Sequence, residues 1–295
     1  MPGQPNKQFP SLKDVVRPGL TAWSWQRWLI AFVVISLLVV VGDAGFAYAH
    51  RPWPKPYAVR TIAAFRQDGT PLAWPATGAA AIGAVGEGVL AITGTDTPRP
   101  MASTAKLITA LTVLEAAPLS PGQAGPTLTV TAADAGYFGQ YLVLNGSEVP
   151  LDPGEQINEY QALQALLIPS ADDVADAMAT WFYGSMPRYL AAANLLVQQL
   201  GMTETVVAGD ASWFLASTVS TPADEVLLGQ AALANPVIAS ISSQKSMTLP
   251  GGRKENSTDL LLGVDGITGI KTGNTDQAGG VFVFTAKHQV GSQTI

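Results

Sequence analysis

Ser103-Thr104-Ala105-Lys106 sets a hydroxyl and an amine three residues apart. In a helix, side chains at i and i+3 share a face, with Cβ atoms about 5–6 Å apart. A serine becomes a nucleophile when a base takes its proton. An uncharged lysine amine is such a base where burial and a helix N-terminus disfavour the ammonium form. The same helix-terminal N–H groups favour the negative charge that develops on an attacked carbonyl. The spacing recurs in Ser242-Ser243-Gln244-Lys245, which has no strong apolar helix behind it and so serves as an internal control. Taken alone, either tetrapeptide also fits a capping serine followed by a surface lysine.

A second candidate is Lys271-Thr272-Gly273, which follows the apolar stretch Ile267 to Ile270 and precedes Asn274-Thr275. On a strand, Lys271 and Gly273 point to one face and Thr272 to the other. The missing side chain at Gly273 lets a substrate backbone or a facing helix come close, and a lysine beside it can meet a carboxylate. The alternative is a Thr-Gly-Asn-Thr turn with an incidental lysine.

The elements that must position these groups are legible in outline. Ala79 to Gly94 holds two apolar runs around Gly86-Glu87-Gly88, the pattern of a β-hairpin with a glycine turn. Helical periodicity begins at Ser103, with Leu107, Leu111 and Leu114 forming a stripe that a core would cover. A second helical stretch, Glu159 to Leu167, stops before Pro169, and a third follows Asp172 with Val174, Ala175 and Met178 on one face. Further helical signals cover Arg188 to Leu200 and Ala223 to Ala234. Strand signals return at Gly269 to Thr272 and in the alternation Val281 to Thr285. Strands, then helices, then strands define an α+β class whose antiparallel sheet is expected to join distant parts of the chain.

The chain has 295 residues, 47% hydrophobic and 13% charged, with 16 Lys+Arg against 22 Asp+Glu, a net charge of −6. This excludes a wholly disordered chain and argues against broad binding to nucleic-acid phosphates. The absence of cysteine removes disulfides, thiolate metal sites and a cysteine nucleophile. With only His50 and His288 present, neither a His-rich metal site nor a Ser-His-Asp triad is expected; His288 reads as a surface residue.

The N-terminal region reads as a targeting device. Residues 1–27 carry Lys7, Lys13, Arg17 and Arg27 against Asp14, a net of +3, and Trp28 to Val41 is apolar except for Ser36. Residues 28–49 are expected either to anchor the chain in a membrane or to be a signal peptide cleaved after Ala49, in the small-x-small run Ala47-Tyr48-Ala49. Both place the basic tail in the cytoplasm and the remainder outside it. Residues 50–56, with proline at 52, 54 and 56, read as a stiff spacer, and the folded domain is expected over 57–295.

Here the chain resembles a known family, the serine-type D-alanyl-D-alanine carboxypeptidases, which are low-molecular-mass penicillin-binding proteins. The family carries Ser-x-x-Lys, Ser-x-Asn and Lys-Thr-Gly in that order. The first is Ser103-Thr104-Ala105-Lys106 within PMASTAKLITALTVLE, and the third is Lys271-Thr272-Gly273. The middle one falls at Ser170-Ala171-Asp172 within LLIPSADDVADAMA, with Asp172 where the family has asparagine. The resemblance runs from about Ala79 to His288 and includes GSEVPLDPGEQIN and LGMTET. It implies a DD-peptidase/β-lactamase-like fold, an antiparallel sheet flanked by helices plus a helical subdomain, with no metal and no organic cofactor.

The roles it implies are these. Ser103 attacks the carbonyl of a terminal D-Ala-D-Ala bond of a peptidoglycan stem peptide, Lys106 is its base, and Ser170 relays a proton to the leaving amine. Lys271 and Thr272 hold the substrate carboxylate beside Gly273, and the N–H groups of Ser103 and Asn274 form the oxyanion hole. β-Lactams are implied as covalent inhibitors. Asp172 is the departure: an ionised carboxylate cannot donate to a substrate carbonyl as an amide can. It is therefore expected to be neutral, turned toward Lys106 or another donor, or a cause of reduced activity; it also fits as the N-cap of the following helix. A class A β-lactamase is excluded by the absence of a Glu-x-x-Leu-Asn segment after Ser170; Glu155-Gln156-Ile157-Asn158 lies on the wrong side. Two alternatives share these motifs: a DD-transpeptidase, and a wall-binding or β-lactam-sensing homologue that has lost turnover. Since 22 residues follow Gly273 and a strand is just beginning at the end, the domain is expected to be cut short at its C-terminus.

Overall fold

The computed structural model describes residues 22–49, 72–212, 214, 216–287, 289–290 and 293–294. The spacer at 50–56, the domain start at 57 and both histidines lie outside them. The chain divides into two compact units, Met1–Trp53 and Pro54–Ile295.

In the first unit, helix α1 (Ala22–Ala49) runs 28 residues, beginning before Trp28 and continuing through Asp43. Trp28, Phe32 and Leu38 are exposed. Among the described residues no single helix is long and apolar enough to cross a membrane.

The second unit begins with strands β1 (Ala80–Ala84) and β2 (Gly88–Thr93), the anticipated hairpin. Its turn uses Gly86 at φ 86° and Gly88 at φ 74°, conformations that glycine adopts without a Cβ penalty. Strand β3 (Arg99–Pro100) precedes a 3-10 turn, Ala102–Ala105, and helix α2 (Lys106–Ala116). The expected single stripe understates α2: Ile108, Thr109, Ala110, Thr112 and Val113 are buried beside Leu107 and Leu114, so it is a central helix of the core.

Strand β4 (Thr127–Thr129) leads to helix α3 (Ala132–Leu144), which periodicity did not reveal because Gly136 and Gly139 interrupt it. A reciprocal capping box between Thr131 and Asp134 starts it, and Asn145 in the left-handed region ends it. Strand β5 (Gln156–Asn158) is followed by helix α4 (Glu159–Leu167), started by a second such box between Asn158 and Gln161. Helices α5 (Asp172–Tyr183) and α6 (Met186–Gln199) complete the helical layer around α2.

Strand β6 (Val219–Ser220) pairs with β3, and helices α7 (Pro222–Ala234) and α8 (Pro236–Ser242) are separated by Asn235 and Pro236, which cannot continue α7. Strands β7 (Ser246–Thr248) and β8 (Lys254–Asn256) precede the long hairpin β9 (Ile267–Thr275) and β10 (Gly279–Ala286); β11 (Gln289–Val290) and β12 (Gln293–Thr294) form a last short ladder.

The α+β class is as expected, and the β3–β6 ladder joins segments distant in the chain. Among the described residues the strands make six separate two-stranded antiparallel ladders. The two main hairpins are instead joined through α7. On one side, Gln230 Nε2 donates to the carbonyls of Ala84 and Gly88 at 2.9 and 3.3 Å, holding the β1–β2 turn. On the other, Gly229 leaves room for Val283 and Ile270 of the β9–β10 hairpin.

Candidate active site

Ser103 lies in the 3-10 turn and Lys106 is the first residue of α2. A 3-10 turn has three residues per turn, so positions i and i+3 eclipse. This brings the amine closer to the hydroxyl than the α-helical offset anticipated from sequence: Lys106 Nζ is 2.8 Å from Ser103 Oγ. Lys106 is fully buried, whereas Ser103 keeps some exposure, the combination required of a desolvated base beside an approachable nucleophile.

The same amine lies 3.3 Å from Ser170 Oγ and 2.5 Å from Asp172 Oδ1, so its three hydrogens have three acceptors. Ser170 occupies the turn between α4 and α5 at φ 70°, and Ala102 enters the nucleophile's turn at φ 47°. Each left-handed non-glycine residue costs about 1–2 kcal/mol. Ser170 lies beside the Lys106 amine and Ala102 directly precedes Ser103, where strain of this kind fixes side-chain direction.

Asp172 is turned toward Lys106, one of the outcomes anticipated for it. The ion pair is almost fully buried, and Asp172 Oδ2 accepts the Ser147 N–H at 2.7 Å. Asp172 is not the N-cap of α5, however: Ala171 occupies that position, with no side chain to offer. A Cβ at Gly146 would sit 2.7 Å from Asp172 Oδ2, so this approach needs a glycine.

Lys271 is buried on β9, and its amine donates to the Thr272 carbonyl at 3.0 Å. Burial, followed by the charge on Lys106, holds its pKa well below the ordinary lysine value, against the opposing pull of Asp172 and Asp259. The alternation along β9 is as expected: Thr272 faces the other way, where its hydroxyl lies 2.7 Å from that of Thr258. Gly273 sits against the nucleophile's turn. A Cβ there would lie 2.8 Å from the Ser103 nitrogen, 3.0 Å from Ala102 Cβ and 3.2 Å from the Thr104 nitrogen. Asn274 follows, exposed on the same strand. Two of these three clashes are with backbone, so Gly273→Ala must shift β9 away from Ser103. We expect a loss of about 1–3 kcal/mol of stability, read by denaturant melting, together with slower acylation of Ser103.

The control pair behaves differently. Ser242, the last residue of α8, is buried with its hydroxyl unpartnered, while the Lys245 amine lies near Gly263. Equal spacing yields no contact because no helix carries Ser242 into Lys245.

Sequence reasoning missed the support behind the pair. Asp172, Asp173 and Asp176 are all buried in the first turns of α5. Burial raises Asp173 to about 7 and Asp176 to about 6. Asp173 accepts the Val149 N–H, and Asp176 accepts from Tyr141 Oη at 2.6 Å and the Ala211 N–H at 2.9 Å. The signal was present in ADDVADAMA, three acids inside an apolar run. Thr258, Ser147, Thr104 and Glu225 carried no comparable signal.

This is a serine–lysine acyl-transfer arrangement set between a helical layer and an antiparallel hairpin. The profile of the D-alanyl-D-alanine carboxypeptidase family matches residues 68–295, and the chain belongs to that family. Among curated relatives it is similar to the D-alanyl-D-alanine carboxypeptidase DacA of Escherichia coli K12, 32% identical over 201 residues that cover 65% of this chain and 48% of DacA. It is also similar to DacB2 of Mycobacterium tuberculosis, 30% identical over 204 residues, 67% of this chain and 66% of the relative. The chain thus spans about half the length of DacA. Among solved structures, the D-alanyl-D-alanine carboxypeptidase of Mycobacterium tuberculosis matches at 28% identity with a TM-score of 0.59, over 73% of this chain and 78% of that one. The Streptomyces K15 DD-transpeptidase shares the fold, with a TM-score of 0.63 at 24% identity over 74% of this chain and 86% of that one.

Proposed function

We propose that this chain is a serine DD-carboxypeptidase that removes the terminal D-alanine from peptidoglycan stem peptides and is acylated by β-lactams. The carrying observation is the buried Lys106 amine, bridging Ser103 Oγ at 2.8 Å and Ser170 Oγ at 3.3 Å. Lys106, as the neutral amine, takes the Ser103 proton while the oxygen attacks the penultimate D-alanine carbonyl. The Ser103 and Asn274 N–H groups hold the resulting oxyanion. As the C–N bond breaks, Ser170 passes the proton from Lys106 to the departing amine. Water then cleaves the Ser103 ester and regenerates the hydroxyl. Lys271, Thr272 and Gly273 receive the substrate's free carboxylate, whose charge favours the ammonium form of Lys271 that burial disfavours.

The extracytoplasmic, membrane-associated placement rests on the basic tail at 1–27 and the apolar run Trp28 to Val41 that follows it. Cleavage after Ala49 is the alternative reading of the same segment.

The test is intact mass after incubation with benzylpenicillin, run beside an assay of D-alanine release from a D-Ala-D-Ala pentapeptide. We expect one stable adduct, retained in Ser242→Ala, and D-alanine release. An adduct without release supports the β-lactam-sensing homologue, which the Lys106–Asp172 ion pair favours. An adduct lost in Ser242→Ala defeats the assignment of Ser103.

A further inference from the structure

Against the nucleophile's turn lies a carboxyl group that the reaction above does not use. Glu225 stands in the first turn of α7 and reaches the turn Ala102–Ala105 that presents Ser103. Its Oε1 is 2.8 Å from Thr104 Oγ1, while Thr104 Oγ1 is also 2.8 Å from the Met101 carbonyl oxygen. A threonine hydroxyl has one hydrogen, and a carbonyl has none to give. Two such contacts are satisfied together when Thr104 donates to Met101 and Glu225 donates to Thr104, which requires a protonated carboxyl. Glu225 Oε2 is closed off from solvent with no hydrogen-bond partner, a position that penalises a bare anion.

We propose that Glu225 is a positioning residue that, as a neutral acid, locks Thr104 to Met101 and so holds Ser103 in line with Lys106. This rests on Ser103 being the acylated residue. The lock spans the residue after the nucleophile and the residue before the strained Ala102, fixing the turn from both ends. Helix N-termini ordinarily favour carboxylates. Burial outweighs that preference here and pushes Glu225 up to about 8, with the nearby Asp224 adding to the rise and the bond from Thr104 opposing it.

The charged groups around it are few. Strands β1, β2 and β10 and helix α8, which pack on α7, carry none, with Glu87 in the β1–β2 turn. Helix α2 brings Lys106 and Glu115, and the Lys106 amine is committed to Ser103, Ser170 and Asp172. Asp96 accepts the Ala223 N–H at the start of α7, and Lys271 lies beyond the nucleophile's turn with its amine on the Thr272 carbonyl.

A carboxyl raised in the folded state binds a proton that the unfolded chain has released, so its stabilisation is complete below the unfolded value and is lost as pH rises through the folded one. Glutamine at 225 keeps a donor at every pH. The test compares the full chain with Glu225→Gln and Glu225→Ala, measuring melting temperature and the rate of penicillin acylation from about pH 5 to pH 9.5. We expect Glu225→Gln to gain melting temperature relative to wild type as pH rises. We expect its acylation rate to fall about tenfold less than that of wild type between neutral pH and the alkaline end. Glu225→Ala is slow throughout, and Glu225→Gln recovers most of that loss near neutral pH. Lys271 contributes to the alkaline fall in all three chains, so the difference between chains isolates Glu225. A melting difference independent of pH overturns the neutral acid. Parallel acylation profiles for wild type and Glu225→Gln overturn the positioning role. A wild-type chain that penicillin never acylates sinks the peptidase reading and with it the positioning role, while the melting comparison still decides the protonation of Glu225.

Discussion

We expect Ser103→Ala to abolish both the penicillin adduct and D-alanine release, and Lys106→Ala to lower the acylation rate by about 10²- to 10⁴-fold, the range general-base catalysis supplies. The nucleophile's hydroxyl meets the lysine amine at 2.8 Å. Removing that amine does two things at once. It removes the base, and it strands the Asp172 carboxylate in a buried site, which costs about 3–5 kcal/mol of stability. Alanine alone therefore mixes chemistry with unfolding. Lys106→Arg separates them, because a guanidinium keeps the charge opposite Asp172 but is not deprotonated in proteins. We expect Lys106→Arg to melt closer to wild type than Lys106→Ala and to acylate no faster. Acylation by Lys106→Arg at near the wild-type rate would show that another group takes the Ser103 proton.

How much of this could be read beforehand divides along a physical line. Spacing within one segment was legible: Ser103 and Lys106 meet because they stand three positions apart, and Lys271 and Gly273 share a face because strands alternate. The helix Glu159–Leu167 was legible because its helical pattern stops before Pro169. What stayed hidden depends on contacts between segments far apart in sequence. The contact of Thr104 with Glu225 bridges 121 residues and that of Tyr141 with Asp176 bridges 35, and no local pattern encodes either. The turn at 102–105 was read as the start of a helix; that it winds as 3-10 was hidden, because the Ser103–Lys106 spacing fits either helix type. Strand order alone does not reveal that Gln230 and Gly229 let α7 join the two main hairpins. Asp172 is the mixed case. Sequence marked it as a departure and named its options, and only the position of Ser147 decides among them.

That position makes residue 172 the most informative substitution in the site. Asp172 receives two donors, the Lys106 ammonium on Oδ1 and the Ser147 N–H on Oδ2, and a carboxylate suits both. Alanine leaves the ammonium and the N–H unsatisfied in a site that is almost fully buried. Asp172→Ala should lose about 3–5 kcal/mol, a fall in melting temperature on the order of 10 °C, and most acylation with it. Asparagine has one acceptor and one donor. Its oxygen can take the Ser147 N–H, which leaves the amide nitrogen facing Lys106, and two donors in contact are unfavourable. A neutral carboxamide also removes the charge that favours the ammonium form of Lys106, so the amine's one lone pair stays free for the Ser103 proton. The residue type at 172 is thus coupled to the protonation of Lys106: aspartate matches the ammonium, asparagine matches the base that attacks the Ser103 proton. Asp172→Asn is accordingly expected to cost less stability than alanine and to raise the acylation rate at neutral pH on the order of tenfold, about 1.4 kcal/mol off the barrier. Stopped-flow acylation with a chromogenic cephalosporin measures it directly. A rate for Asp172→Asn at or below that of the unsubstituted chain would mean that proton removal does not limit acylation, and that the carboxylate is serving Ser103 through the position it gives Lys106.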